Sequence, residues 1–341
     1  MLVDFGFTSN ALNTNLELLG VDPAKLDALV LSHGHYDHFG GLAGFLRAAE
    51  GKLKPGTPFV VGGEECFCAR RWTAPPLPGN FGAIDRSALQ AAKLTVVSAE
   101  QPSLIADHAF ITGQVPLTTF EKVLSPSKMT VGVDGGFGCY PDKLPADERQ
   151  PGAIPDKFSH EIATVYNLKG RGLIVLNSCS HRGVVNIVQR ARVVSGVSKV
   201  HAVMGGFHLA PFDENYVRRV IAGLKEINPD YVVPMHCTGE PFWDLARAEM
   251  PNKALRAYTG TRFVFSACLS RRTPTASCPI SPSQKTGRCL YCVALTASGR
   301  RRSAWLFELV MAPRMQPHAG MGKSLDQISQ KPIKVALLLG G

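Results

Sequence analysis

The segment at residues 32–38, SHGHYDH, constrains this chain more than any other feature, because it places four potential metal ligands within six positions. These are His33, His35, Asp37 and His38. Alternate side chains of an extended segment project to the same side, so His33 and His35 can face one ion. Zinc favours imidazole nitrogen and carboxylate oxygen, and four such groups are more than one open catalytic site needs. The segment therefore predicts two neighbouring metal positions.

The residues on either side predict a strand before the segment and a helix after it. Residues 25–32 read KLDALVLS, an apolar strand that ends where the histidines begin. Residues 41–50 read GLAGFLRAAE, with apolar residues at helical spacing. Loops that connect core elements commonly carry active sites. This setting favours a functional metal centre over isolated surface histidines.

Strand-like and helix-like segments alternate through the later part of the chain. Strands are predicted in EIATVYNL, GLIVLNS, KVHAVMGG and YVVPMH, and helices in VVNIVQRARVVSG and NYVRRVIAGLKEI. This alternation predicts a layered α/β core. Between about residues 51 and 156, short strand-like pieces such as TPFVVGG and LTVVSA alternate with Pro- and Gly-rich connections. We expect that region to be rich in loops that cover a substrate pocket.

The net charge of +10 is concentrated in the last part of the chain. Residues 267–341 contain 11 Lys and Arg but only Glu308 and Asp326, which leaves 26 basic and 25 acidic residues in residues 1–266. A nearly neutral body argues against a nucleic-acid partner. There is no apolar run of membrane-spanning length and no secretory signal, so we expect no membrane partner and a cytoplasmic address. Nine cysteines without a regular framework predict reduced thiols.

The composition changes abruptly after Phe265. The following residues are rich in Ser, Thr, Pro and basic side chains and lack periodicity. We predict a fold domain over residues 1–266 and a poorly ordered tail over residues 267–341 that is not part of the fold. A shifted reading frame or cloning read-through explains such a tail better than a natural extension. Four tail cysteines, including Cys289 and Cys292, could form a zinc knot, although their spacing favours incidental residues.

Several blocks of the sequence resemble a known family. His33-x-His35-x-Asp37-His38 resembles the signature of metallo-β-lactamase-fold metallo-hydrolases, and Asp4 in LVDFG resembles the structural Asp that precedes it. The blocks SHGHYDHFGGL, NSCSHRGVVNIV, VMGGFHL and VVPMHCTG resemble the branch known as 7,8-dihydropterin-6-methyl-4-(β-D-ribofuranosyl)aminobenzene-5′-phosphate synthase. The resemblance covers most of residues 1–265. It implies an α/β αββα sandwich of two mixed sheets flanked by helices, here expected to lack its first N-terminal strands.

The resemblance also implies the metal ligands. One metal would be held by His33, His35 and a third histidine, and the other by Asp37, His38 and a C-terminal histidine that His236 matches.

The resemblance assigns the third ligand less directly, because residues 178–181, SCSH, lack the bridging Asp of the family. We expect His181 to be the substituted ligand, with Cys179 as the alternative. His160 is a further candidate for the remaining histidine position. His208 is expected to be either a ligand or a proton donor.

A divalent cation in such a site lowers the pKa of water and polarises the bond under attack. Asp37 could orient the nucleophile and His208 could protonate the leaving group. Arg182 and Lys122 could hold an anionic substrate.

We therefore expect a metal-dependent hydrolase or related transferase that acts on a small, phosphate-bearing or heterocyclic metabolite. The expected cofactor is one or two Zn²⁺ ions, with iron or manganese as alternatives. The competing interpretations are a nuclease or phosphodiesterase of the same fold and a non-catalytic metal-binding protein.

Overall fold

Two sheets that face each other form the centre of the fold. The computed structural model describes residues 1–73, 79–123, 127–266 and the backbone of residues 333–336. The helices are α1 Ser9–Leu18, α2 Tyr36–Phe39, α3 Leu42–Ala48, α4 Arg86–Ala91, α5 Val184–Ser195, α6 Glu214–Ile227 and α7 Glu240–Glu249. The strands are β1 Leu2–Val3, β2 Leu29–Val30, β3 Pro58–Val61, β4 Ala69–Trp72, β5 Gly79–Gly82, β6 Thr95–Ser98, β7 Ser103–Ile105, β8 Ala109–Ile111, β9 Ser127–Asp134, β10 Phe137–Cys139, β11 Gly152–Pro155, β12 Thr164–Leu168, β13 Gly172–Asn177, β14 Val200–Gly206, β15 Tyr231–Met235, β16 Arg262–Phe265 and β17 Ile333–Ala336.

The first sheet is parallel and has the order β1-β2-β3-β6. The second sheet has the order β15-β14-β13-β12-β8-β7, with β13, β14 and β15 parallel and the remaining pairs antiparallel. Parallel strands are normally covered on both faces, which explains their nearly continuous Val, Ile and Leu content. The strands and helices predicted for residues 164–235 are confirmed as β12, β13, α5, β14, α6 and β15.

The alternation of side chains along each strand divides the core into three layers. Val30 and Val60 of the first sheet share a buried cluster with Ile174 and Met204 of the second, so this cluster lies between the sheets. The opposite face of the first sheet packs against α1 and α3, where Leu12 and Phe45 are buried. The opposite face of the second sheet packs against α5, α6 and α7. The predicted αββα sandwich is therefore confirmed.

A third sheet lies in the region where the sequence predicted core strands with long loops between them. It is antiparallel and has the order β10-β9-β4-β5, with β11 also pairing with β9. Local sequence patterns gave no sign of this sheet, because its strands are glycine-rich or charged and β4 pairs with β9, which lies far away in sequence. Cys68, directly before β4, forms a disulfide with Cys139 of β10. The prediction of reduced thiols is wrong for this pair and holds for Cys66, Cys179 and Cys237, which are free.

Most of the predicted tail, including its cysteines, lies outside the described residues. The exception is β17, which pairs antiparallel with β16 in the register Arg262 opposite Ala336. The prediction of a tail that is not part of the fold did not include this pairing. No helix among the described ranges is long and apolar enough to cross a membrane.

Candidate metal centre

The predicted metal ligands come together at one edge of the two sheets. His33 lies three residues beyond the end of β2, His208 lies two residues beyond β14, and His236 directly follows β15. His181 follows β13, which neighbours β14. The carboxyl ends of parallel strands meet at one edge, and sites in α/β proteins assemble there. This arrangement explains how residues about 200 positions apart in sequence become neighbours.

Four histidine rings form a compact cluster, in which three of the histidines are buried and His236 is exposed. The ring centroid of His33 lies 4.1 Å from that of His38 and 4.9 Å from that of His181. The ring centroids of His38 and His236 are 5.1 Å apart. His33 and His38 are fully buried and His181 is nearly so. The structure thus brings together members of both predicted ligand sets.

Several buried nitrogens of this cluster and of the neighbouring His208 ring have no hydrogen-bond partner. They are His33 Nε2, both ring nitrogens of His181, and His208 Nδ1. Leaving a buried polar atom unpaired costs about 1–3 kcal/mol, so such a concentration requires a reason. Burial lowers the pKa of His33 and His181 well below 6.5, which keeps both imidazoles neutral with a free lone pair. Neutral imidazoles are the form that binds metal ions.

The ligand atoms fall into three groups, in each of which all atoms lie within 4.8 Å of one another. The groups are His33, Cys179 and His181; His38, Cys179 and His236; and Cys179, His208 and Cys237. Ligands bound tetrahedrally at about 2.0–2.3 Å are separated by roughly 3.3–3.8 Å, so modest adjustment suffices for a metal ion. The residues therefore fit the divalent cations that the sequence predicts.

Asp37 lies beside the second of these groups. Its Oδ2 is 3.1 Å from His236 Nε2 and 3.4 Å from His38 Nε2. Burial opposes its ionisation, but the two histidines hold the pKa of Asp37 well below its usual range. Asp37 is thus an anionic oxygen donor at the predicted second metal position.

His35 is close to the cluster, but its nitrogens belong to none of the three groups. Its ring centroid lies 4.7 Å from that of His181, while its Nε2 is 3.2 Å from Ser127 Oγ. Its role as a metal ligand stays a prediction.

Asp4 anchors the segment that carries the histidines. Its Oδ2 accepts hydrogen bonds from His38 Nδ1, at 2.7 Å, and from Ser32 Oγ, at 2.8 Å. Its Oδ1 accepts the Ser32 backbone N–H. With Nδ1 occupied in this way, His38 presents Nε2 to the cluster, which is how a carboxylate orients a metal-binding histidine. These contacts fit the structural role that the resemblance implies for Asp4.

Backbone strain is concentrated around the cluster. Asp4, Ser180, His208 and His236 are all non-glycine residues in the left-handed region, with φ between 46° and 61°. Each such residue costs about 1–3 kcal/mol and is kept where the surrounding structure requires it, often at functional sites.

The comparisons with known proteins agree with the fold described above. The family model described as the metallo-beta-lactamase superfamily matches residues 1–53. The crystal structure of Tm1679, described as a metal-dependent hydrolase of the β-lactamase superfamily, aligns with a TM-score of 0.57 and 24% identity over 75% of this chain and 85% of Tm1679. The chain has the metallo-β-lactamase fold.

Two curated proteins of Methanocaldococcus jannaschii are similar to this chain. One is 7,8-dihydropterin-6-methyl-4-(β-D-ribofuranosyl)-aminobenzene-5′-phosphate synthase, 27% identical over 66% of this chain and 70% of the synthase. The other is an uncharacterized protein, 27% identical over 76% of this chain and 86% of that protein. Both similarities cover far more of this chain than the matched family segment, and one of these relatives is named a synthase.

A buried polar group that the sequence analysis missed supports the metal centre of this metallo-β-lactamase fold. Arg70 is 1% exposed, and its Nε donates to Asp156 Oδ2 at 2.6 Å. Its other N–H groups reach the backbone carbonyls of residues 65, 66 and 68. A Cβ on Gly34 would lie 2.2 Å from the Arg70 guanidinium, which explains the glycine between His33 and His35. Nothing in the local sequence ARRW distinguishes Arg70 from an exposed strand residue.

The prediction that His160 supplies a remaining ligand is wrong. Its Nε2 accepts the Gly34 backbone N–H at 3.1 Å, and both ring nitrogens lie within 3.4 Å of Arg70. His160 therefore holds the loop that carries His33 and His35, and it belongs to none of the three ligand groups. Glu161, also missed, accepts the backbone N–H groups of His181 and Arg182 at 2.7 Å each. Its acceptor bonds fix the turn that presents His181.

The cluster opens into a cleft of about 430 Å³. Asp37, His208 and His236 line it. Its walls are largely aromatic and include Phe7, Tyr36, Trp72 and Phe81. Arg70 also borders the cleft, but its guanidinium is already bonded to Asp156 and to backbone carbonyls. The described part of the cleft is suited to a planar, apolar group.

The two predicted substrate-binding cations differ in their surroundings. Arg182 donates through Nε to the Val115 carbonyl and through Nη1 to the Lys157 carbonyl, and it is not among the residues that line the cleft. These contacts hold neighbouring loops and do not support substrate binding. Lys122 borders a small depression next to His181 and His208, so its role stays a prediction.

Proposed function

We propose that this chain is a metal-dependent hydrolase, or a related transferase, that acts on a small metabolite with a planar, heterocyclic part. The single observation that carries the proposal is the set of unpartnered, buried imidazole nitrogens in a histidine cluster that adjoins an aromatic cleft. Histidine nitrogen with carboxylate and sulfur favours zinc, with iron or manganese as alternatives. We keep the cytoplasmic address as part of this proposal.

The ligands of the proposed centre are His33, His35 and His181 at one position and His38, Asp37 and His236 at the other. A divalent cation held here would supply Lewis-acid chemistry, by acidifying a water molecule and polarising the bond under attack. Asp4 bonds to Nδ1 of His38, and Ser32 bonds to Nδ1 of His33. These contacts keep both imidazoles in the required orientation. The buried setting keeps competing water away from these side chains.

Two side chains that line the cleft can accept or donate hydrogen bonds during the reaction. Asp37, held ionised by its histidine neighbours, can accept a hydrogen bond from an attacking water molecule and orient it. His208 lines the same cleft as Asp37. Burial disfavours a charge on His208, but contact with Cys237 outweighs this effect and raises its pKa above 6.5. A protonated His208 can therefore donate to a leaving group.

The shape of the cleft supports a planar substrate more than a nucleic acid. Aromatic rings stack on flat heterocycles through offset or edge-on contacts. A phosphodiester backbone requires a row of available cations, whereas Arg70, the basic residue among the described cleft lining, is bonded to Asp156. The similarity to a protein named as a dihydropterin-related synthase supports a heterocyclic substrate. A nuclease or phosphodiesterase is the weaker alternative.

The test is to purify the full chain, measure bound metal by mass spectrometry, and screen phosphodiesters, phosphomonoesters, lactones and β-lactams with and without a chelator. We expect metal-dependent turnover of at least one class, which is lost in His33→Ala and retained in His201→Ala. His201 is a matched control because its Nδ1 pairs with Asp230 Oδ2 at 2.6 Å, away from the cluster. Activity that survives both the chelator and His33→Ala would refute the proposal, and binding of metal without turnover would favour a non-catalytic metal-binding protein.

A further inference from the structure

Cys179 occupies the centre of the metal cluster. It is 2% exposed, and it belongs to the group with His33 and His181 as well as to the group with His38 and His236. Those two groups have no other residue in common. The Sγ of Cys179 is 3.2 Å from His38 Nε2. One sulfur atom therefore belongs to the candidate ligands of both proposed metal positions.

The chemistry of a thiolate suits that position. Two divalent cations at the usual separation of about 3.5–4 Å repel each other, and a shared anion between them reduces this repulsion. A coordinating cation removes the thiol proton and leaves a thiolate. The sulfur then carries several lone pairs and can bind two ions at about 2.3 Å each.

The carboxylate at this end of the cluster does not occupy the same position. Asp37 contacts His38 and His236 of one group and neither histidine of the other. Residues 178–181 contain no acidic side chain. Within the described ranges, the three ligand groups consist entirely of histidine and cysteine. An anion shared by both positions must therefore come from Cys179 if the protein supplies it.

We infer that Cys179 Sγ bridges the two metal ions as a thiolate, with His181 as a terminal ligand of the first. This inference rests on the proposed metal centre and specifies its ligands. Cys237 Sγ lies 3.4 Å from Cys179 Sγ and outside both groups that contain His33 or His38. Its position is that of a neighbour that supports the bridge.

The experiment is X-ray absorption at the zinc edge of the full chain, loaded with Zn²⁺ under reducing conditions, together with the ratio of metal to protein. We expect two ions per chain, a sulfur shell at about 2.3 Å with roughly one sulfur per zinc, and a metal–metal contribution at about 3.5–4 Å. Cys179→Ser should lose the sulfur shell and bind less metal. Cys179→Asp should retain two ions without sulfur, because a carboxylate can also bridge.

Cys66→Ser is the matched control, since Cys66 is a free, buried cysteine that belongs to none of the three groups. It should retain both the sulfur shell and the metal ratio. Melting curves test whether each variant folds. If Cys179→Ser does not fold, Cys179→Asp still tests the bridge.

The possible outcomes separate this inference from the proposed function. Two bound ions without a sulfur shell, or with half a sulfur per zinc, would overturn the bridge and leave the metal centre standing. A sulfur shell that survives Cys179→Ser but disappears in Cys237→Ser would assign the ligand to Cys237 and also overturn it. A wild-type chain that binds no metal would overturn both.

Discussion

The Oδ2 atom of Asp4 lies 2.7 Å from Nδ1 of His38, and both side chains are buried. The same carboxylate binds the Ser32 hydroxyl, whose Oγ is 2.9 Å from His33 Nδ1. Asp4 therefore orients two of the predicted ligands, one for each metal position, from a strand at the start of the chain.

We expect Asp4→Asn to weaken metal binding by roughly 10- to 100-fold, because the amide neither orients nor polarises the imidazole as the carboxylate does. Asn adopts the left-handed backbone that Asp4 requires, so the fold should survive. Competition with a chromophoric chelator measures the affinity. Asp230→Asn is the control, because that carboxylate pairs with His201 away from the cluster. Equal affinities for wild type and Asp4→Asn would show that Asp4 does not act through the ligands.

Removing the metal should lower the melting temperature. A ligand present at 100 times its dissociation constant stabilises the folded state by about 2.7 kcal/mol, which corresponds to roughly 5–10 °C for a domain of this size. Thermal unfolding before and after dialysis against a chelator measures the difference, and added Zn²⁺ should restore it. His33→Ala should show a smaller shift with both treatments, because it removes a ligand from one of the two positions. A shift of the same size in that variant would mean that the metal binds elsewhere.

The aromatic walls of the cleft predict a preference for aryl over alkyl substrates. Phe81 lines the cleft, with its ring centroid 6.2 Å from that of Tyr36. We expect Phe81→Ala to reduce the aryl preference in kcat/KM by roughly 2- to 10-fold, which reflects the loss of one aromatic contact. Paired aryl and alkyl esters of the active substrate class provide the measurement. Phe137→Ala, which removes an exposed ring outside the cleft lining, should leave the preference unchanged.

The Arg70–Asp156 pair predicts a large, pH-dependent loss of stability in Asp156→Asn. Both side chains are 1% exposed, so removing one charge leaves the other buried and unpaired. We expect this change to lower the free energy of unfolding by about 3–5 kcal/mol. Urea unfolding at pH 7 measures this difference. Asp147→Asn is the control, since Asp147 pairs with Lys157 on the surface and should matter little.

The sign of the pH effect follows from the shift at Asp156. Burial opposes ionisation, but Arg70 holds the pKa of Asp156 below its ordinary value of 3.8. A lowered folded-state pKa gives stability that is present above the unfolded value and is lost as pH falls through the folded one. The difference between wild type and Asp156→Asn should therefore narrow below about pH 4. A difference that is constant down to pH 2 would contradict the assignment.

Arg182 and Lys122 should respond differently to substitution. Arg182→Ala removes two bonds to backbone carbonyls and should lower the free energy of unfolding by about 1–3 kcal/mol with little change in KM. Lys122→Ala tests the remaining cation prediction. If Lys122 binds substrate, KM for anionic substrates should rise roughly 2- to 5-fold, as for an exposed ion pair, while neutral substrates are unaffected. Lys225→Ala, on the exposed side of α6, is the control.

The sequence was sufficient to predict the αββα sandwich and most of the candidate ligands. The histidine segment is contiguous, and His181, His208 and His236 each follow a strongly apolar strand, so periodicity alone places them at strand ends. Periodicity also predicted the helices α5 and α6, whose apolar residues pack on one face.

Tertiary structure decided what local patterns do not encode. The pairing of β4 with β9, the Cys68–Cys139 bond and the burial of Arg70 depend on partners that lie 55 to 86 positions away, and the adjacent residues give no sign of them. The same holds for Cys179, whose place between two histidine groups follows from how β2, β13 and β15 converge. A sequence fixes which side chains end each strand, but the distances between strand ends come from packing the sheets together.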